Sequence, residues 1–234
     1  MATLITSLQK HFHGSESCIC ITGSGGKTTA LIQLANAYAA DMKRVLVSTT
    51  TKVLYPEDRD YHCDRYFWDE DVFSYSCKKG ERVFYARRGP IKAEAPPLKD
   101  LERLKEHYDV LLLEADGARG MGLKLHCDRD PVVPEFTTAT LAIASFSVFG
   151  KRLSEHCFGC EAMTDRLIDE ETYSLLLTHP EGIQKGMKGV HAILFNQAER
   201  TDWSKIENIQ RSFPDLHLFF GSLEQNVLIE RKVP

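Results

Sequence analysis

The stretch ICITGSGGKTTALIQLANAYA, residues 19–39, decides how the chain is read. An apolar run at 18–22 is too short for a helix and is ended by Gly23. From residue 27 to residue 40, Leu31, Leu34, Ala35 and Tyr38 recur at helical spacing. A strand therefore runs through a glycine turn straight into a helix. Such a turn leaves backbone N–H groups unpaired, and the helix dipole adds partial positive charge there. Gly23, Gly25 and Gly26 can take backbone angles that let an anion approach the main chain. Lys27 would then face the outer phosphates, and Thr28 would offer a hydroxyl to Mg²⁺. The pattern is not the full G-x-x-x-x-G-K-[ST] loop, because Ile21 stands where its first glycine belongs. The shorter form G-S-G-G-K-T-T is similar to the phosphate loop of Mur-type ligases. The plain alternative is a turn that merely joins strand to helix.

Working outward, strand-like runs lie at 44–49, 82–88, 108–116, 140–149, 190–196 and 216–222. Helical patterns lie between them at 98–108, 162–178 and 203–213. Residues 53–68 read as loop with a short strand near Tyr66. Residues 69–79 read as a short helix capped by Asp69 or as a hairpin strand, and 89–97 as linker. Strands alternating with helices predict an α/β fold with a mostly parallel sheet in three αβα layers. One domain across residues 1–234, with room for a small inserted lobe around 55–97, accommodates the whole chain.

In such a sheet ligands bind at the carboxyl ends of the strands. The glycine turn is one of those ends, and residues 49–52, 114–117 and 196–199 are others. In LLLEADG, Glu114 and Asp116 close the most apolar strand of the chain, and strand alternation puts both carboxylates on one side. Acidic strand ends of this kind hold Mg²⁺ or its waters in phosphate-transfer sites. The competing reading is a turn aspartate before Gly117. Thr49, Thr50 and Thr51 either contact a γ-phosphate or metal, or are β-propensity running on into a loop. Asn196 and Glu199 stand where guanine-binding proteins carry Asn-Lys-x-Asp, with Gln197 in place of the lysine. A plain strand-to-helix turn is the equal alternative there. Lys124 or Arg119 could neutralise developing phosphate charge, with a solvated loop as the other reading.

Twenty-nine basic and 33 acidic residues give a net charge of −4, so nothing draws the chain as a whole to nucleic acid or to an anionic membrane. Any anion site must be local. No apolar run nears the roughly 18 residues of a membrane span. Residues 1–12 lack the marks of a signal peptide. Seven cysteines spread over a long chain suggest reduced thiols and a cytoplasmic protein. Cys18 and Cys20 read as core residues, and Cys157 and Cys160 as a lone C-x-x-C.

ITGSGGKTT, RVLVSTTTK, LLLEADGARGMGLK with DPVVP after it, and ILFNQAE follow one another in an order that resembles the YqeC family. These are accessory proteins of selenium-dependent molybdenum hydroxylases. The resemblance spans residues 15–222 and implies a P-loop NTPase-like fold that binds nucleotide. By position it implies a phosphate loop of Gly23, Ser24, Gly25, Gly26, Lys27, Thr28 and Thr29. It implies a second nucleotide-facing loop at Thr49, Thr50, Thr51 and Lys52. Glu114, Asp116, Gly117 and Lys124 would then line the metal and γ-phosphate side. The chain departs from the family in carrying His156-Cys157 where His-Arg is usual, and in its altered guanine-type motif.

Together these features lead to an Mg²⁺-dependent protein that binds ATP or GTP and hydrolyses it slowly. Lys27, Glu114, Asp116 and Lys124 would be the catalytic groups, and Thr28, Glu114 and Asp116 the metal ligands. A molybdenum hydroxylase or its maturation machinery would be the partner. A nucleotide-dependent small-molecule kinase or ligase is the alternative, and a scaffold that binds nucleotide only for stability is a third reading.

Overall fold

A computed structural model describes residues 3–163 and 166–230. Nine strands form one sheet. In chain order they are β1 (Cys18–Gly23), β2 (Val45–Thr49), β3 (Arg65–Phe67), β4 (Arg82–Tyr85), β5 (Val110–Glu114), β7 (Ala139–Ser145), β9 (Val190–Asn196), β10 (Leu218–Ser222) and β11 (Val227–Leu228). Two further strands, β6 (Leu123–Lys124) and β8 (Cys157–Phe158), pair with each other apart from the sheet. The sheet order is β11-β10-β9-β7-β1-β5-β2-β4-β3. Neighbours are parallel except for the antiparallel β10–β11 pair. The stretch 55–97 supplies β3 and β4 to this same sheet.

The helices are α1 (Leu4–His11), α2 (Lys27–Ala40), α3 (Leu98–Leu104), α4 (Leu153–His156), α5 (Glu170–Thr178) and α6 (Trp203–Ser212). They form the outer layers because alternate strand residues face opposite ways. Ile19 and Ile21 of β1 pack with Leu31 and Leu34 of α2 and with Leu4 and Leu8 of α1. Cys18 and Cys20, alternating with them in sequence, join Leu101 and Leu104 of α3 on the other face. On that second face, Ile193 and Phe195 of β9 meet Tyr173 of α5 and Ile206 of α6. Burying each such Leu or Ile is worth about 1.5–3 kcal/mol, so the three layers rest on β1 and its neighbours.

The 69–79 region resolves as a single 3₁₀ turn, Glu70–Phe73, capped by Asp69, whose side chain accepts from the Asp71 amide. The helical pattern read over 162–178 shortens to α5. There Asp169 and Thr172 form a capping box and so set a later start. α1 carries its own signal, with Leu4, Ile5 and Leu8 on one buried face and Thr3 as cap.

Candidate functional site

β1 and α2 meet at Gly23, Gly25 and Gly26, whose φ angles are 89°, 84° and 141°. All three lie where a side chain is strained. Space excludes one as well. A Cβ on Gly23 would sit 2.1 Å from the Ile143 carbonyl oxygen, and one on Gly26 would sit 2.5 Å from Asn196 Nδ2. The Ser24 amide fixes the turn to β7 by donating to the Ile143 carbonyl at 2.7 Å, and its hydroxyl donates to the Met121 carbonyl. α1, α5 and α6 are each capped by a side chain, from Thr3, Asp169 and Asp202. α2 begins at Gly26 with no side-chain cap. Its first-turn amides are left for another acceptor.

Gly25, Gly26, Lys27, Thr28 and Thr29 line a cleft of about 780 Å³. Lys52, Arg59, Lys92 and Arg119 also line it, so a chain of net charge −4 concentrates cations here. Arg59 and Lys92 come from segments that look like featureless loop and linker in sequence. No local pattern marks them.

Glu114 and Asp116 divide the acidic work. β5 ends at Glu114, so strand alternation no longer governs Asp116 and the two carboxylates part. Glu114 lines the cleft, accepts from the Thr28 hydroxyl at 3.0 Å and lies 4.0 Å from Lys27 Nζ. Burial pushes its carboxyl above the usual glutamate value, against the pull of Lys27 and Thr28. Asp116 is wholly buried. Its Oδ2 accepts from the Gly23 amide at 2.9 Å, and it lies 2.8 Å from His126 Nε2 and 3.2 Å from Lys124 Nζ. Its Oδ1 faces Lys27 Nζ at 3.1 Å. Burial would raise this carboxyl too, but the His126 hydrogen bond and the charges of Lys27 and Lys124 hold it below the usual value. Read from the sequence as a metal ligand, Asp116 stands behind the cleft and is not part of its lining. Its Oδ2 is hydrogen-bonded within the protein, while its Oδ1, paired in charge with Lys27, accepts no hydrogen bond.

Lys124 is likewise turned inward. Its ammonium donates to the Gly117 carbonyl at 2.5 Å and to Asp130. It braces the acidic strand end and is not part of the cleft lining. His126 completes the brace, with Nδ1 at 2.9 Å from the Gly182 carbonyl. His126 and Asp130 were missed in sequence because nothing local ties them to Asp116. DPVVP, which includes Asp130, explains itself here, since the Val132 amide donates to the Ala115 carbonyl at 3.0 Å.

At the end of β2 the threonines serve the backbone. Thr49 Oγ1 donates to the Glu114 carbonyl at 2.9 Å and accepts from the Thr51 amide at 3.0 Å. Thr50 Oγ1 donates to the Val132 carbonyl at 2.7 Å. Of residues 49–52 only Lys52 lines the cleft, where it pairs with Glu94 at 2.8 Å. Asn196 clamps the glycine turn. Its Nδ2 donates to the Gly25 carbonyl at 2.8 Å, and its Oδ1 accepts from the Leu223 amide at 2.9 Å. Glu199 is exposed and is not brought to the cleft, whereas Gly117 is.

Lys27 has two options within reach. It donates to the Gly23 carbonyl at 2.7 Å and pairs with Asp116, yet it lines the cleft beside the uncapped amides. Among the described residues no group of three or more His, Cys, Asp or Glu is placed to enclose a metal. No helix among them is long and apolar enough to cross a membrane.

Three comparisons bear on this arrangement. The family profile described as "YqeC protein" matches residues 19–161, from β1 through the acidic strand end to the C-x-x-C. "Uncharacterized protein YqeC" of Escherichia coli (strain K12) is 27% identical over 183 residues, which cover 72% of this chain and 70% of that protein. Among solved structures, that of the hydrogenase maturation factor HypB from Archaeoglobus fulgidus aligns over 95% of this chain and 89% of its own, with 14% identity and a TM-score of 0.44. The profile match covers the glycine turn, the threonine run, the acidic strand end and its brace in one continuous span of more than half the chain, and the chain belongs to the YqeC family.

Proposed function

We propose that the cleft binds the triphosphate of ATP or GTP together with Mg²⁺, and that the protein hydrolyses the nucleotide slowly. The observation that carries this is the uncapped start of α2 opening into a cation-lined cleft, with Lys27, Thr28 and Glu114 at its floor. The amides of Gly25, Gly26 and Lys27 take the β- and γ-phosphate oxygens. Lys27 leaves the Gly23 carbonyl for the outer phosphates, and its pairing with Asp116 holds the ammonium in the loop meanwhile.

The donor set fits Mg²⁺. Thr28 Oγ1 and Glu114 Oε2 are oxygen donors 3.0 Å apart, and Glu114 is a half-buried carboxylate that lines the cleft. Thr28 and Glu114 would hold the ion, directly or through water, with phosphate oxygens completing its shell. There the ion would neutralise the charge that develops on the transferred phosphoryl group. Asp116, Lys124 and His126 keep the loop in shape. Arg119, on the glycine-rich stretch after β5, faces the same cleft and is placed to add positive charge.

The biological role we propose is the one that the resemblance to YqeC proteins implies. The protein acts as a nucleotide-dependent accessory factor in maturing a selenium-dependent molybdenum hydroxylase. Loss of the protein should lower that enzyme's activity while leaving its abundance unchanged.

Thermal unfolding tests the site, with ATP, GTP and CTP each measured with and without Mg²⁺. At a hundred times Kd the bound nucleotide should add about 2.7 kcal/mol of stability. Lys27→Ala should abolish that gain. Glu114→Gln should keep nucleotide binding but lose its dependence on Mg²⁺. Wild-type protein indifferent to every nucleotide would overturn the reading.

A further inference from the structure

The C-x-x-C at 157–160 has no part in the nucleotide reading, yet the structure brings its two sulfurs together. Cys157 lies in β8, and Gly159, at a φ of 84°, turns the chain so that Cys160 comes back onto it. The Sγ atoms are 2.8 Å apart and both thiols are free. That is wider than the ~2.0 Å of a disulfide bond and close enough for the two to join with a small movement of the turn. Among the described residues no third and fourth metal ligand surrounds them, so the pair does not form a closed zinc site.

Position makes the pair usable. The sulfurs themselves are buried at the edge of an apolar cluster, but the turn over them is exposed at Gly159, Glu161, Ala162 and Met163. On its other side the pair follows directly on His156, a residue of the cleft lining. There β8 is registered on β6, with Cys157 opposite Leu123 and Phe158 opposite Lys124. The other buried cysteines, Cys18 and Cys20, lie under α3 in the sheet core.

We propose that Cys157 and Cys160 are a redox-active dithiol beneath an exposed turn next to His156 that exchanges with low-molecular-weight disulfides of the glutathione class. Cys160 is the attacking sulfur. Its hydrogen bond with the Cys157 thiol and the nearby charge of Arg166 favour its anion, so Cys160 ionises below the usual thiol value. Its thiolate attacks one sulfur of the small disulfide, whose S–S bond breaks and releases one thiol. Cys157 then gives its proton to water and attacks Cys160 in the mixed disulfide, expelling the second thiol. The protein loses two electrons and two protons, and the small disulfide gains both.

The test needs no nucleotide, so its result is independent of the proposed function. Reduced full-length protein is equilibrated in glutathione buffers of rising oxidised fraction, quenched in acid, alkylated and mapped by peptide mass spectrometry. One disulfide linking Cys157 to Cys160 should form in the folded chain while Cys18 and Cys20 remain alkylatable. Cys157→Ser should instead accumulate a glutathione adduct on Cys160. Free thiols at both positions in the most oxidising buffer, oxidation confined to Cys127, or a link that appears only after denaturation would each overturn the proposal. Should the serine variant not fold, the wild-type map decides alone.

Discussion

The ends of β5 and β9 lie on opposite sides of β1 and look alike in sequence. Each apolar strand closes on a polar residue, with an acid soon after: Glu114 then Asp116, Asn196 then Glu199. The structure uses them differently. At β5 both acids are engaged, Glu114 with Thr28 at the cleft and Asp116 with the Gly23 amide beneath it. At β9 only Asn196 is engaged, as a clamp on the Gly25 carbonyl, and Glu199 stays outside. What separates them is the chain that follows. After β5 it loops out and returns along the loop floor, bringing Lys124, His126 and Asp130 against Asp116. After β9 it turns away, with the Ala198 amide donating to the Gly221 carbonyl at 3.1 Å. A polar residue at a strand end becomes part of a site only when a later segment folds back to hold it.

Asp116 should therefore be the most expensive residue at these ends to remove. Asp116→Ala leaves Lys27 and Lys124 buried without their shared partner, which costs about 3–5 kcal/mol. Urea unfolding measures it. The acid limb sharpens the point. Asp116 has a folded-state pKa below its unfolded value, so its contribution is complete above the ordinary carboxylate range and is lost as pH falls through the depressed folded value. The variant should lose less stability than wild type over that acid window. Equal acid sensitivity would show that Asp116 does not carry the network.

Asn196→Ala tests the clamp at the end of β9. It strands the Gly25 carbonyl and the Leu223 amide, a loss of about 1–3 kcal/mol. It also frees the turn whose shape the anion site requires. Affinity for nucleotide should fall along with stability. A fall in affinity larger than the fall in stability explains would place the clamp in the binding energy.

Much of this was legible in the sequence, for identifiable reasons. The apolar runs at 108–116 and 190–196 are strands because they are short, β-rich and bounded by turns, and β9 matches its predicted span. The glycine turn was legible because local backbone geometry and a lysine at fixed spacing are both local facts. The split between Glu114 and Asp116 was not, because it depends on where β5 stops and on what His126 and Lys124 do ten residues later. The threonines of 49–51 left two readings open for a similar reason. A hydroxyl at a strand end looks the same whether it meets a phosphate or the carbonyl of the next strand, and here Thr49 meets Glu114. Arg59 and Lys92 reach the cleft from segments with no periodicity at all.

Glu199 supplies the smallest effect and the cleanest contrast. It is exposed, lies outside the cleft and follows a turn already secured by the Ala198 amide. Glu199→Ala should change stability by no more than about 0.5 kcal/mol in either direction. It should also leave the ratio of ATP to GTP affinity unchanged, since a carboxylate outside the cleft cannot read a base edge within it. Competition binding with both nucleotides on wild type and variant measures this directly. A selective loss of guanine binding would mean that the segment after β9 closes over the cleft when nucleotide enters, and the contrast between β5 and β9 would then describe only the open form.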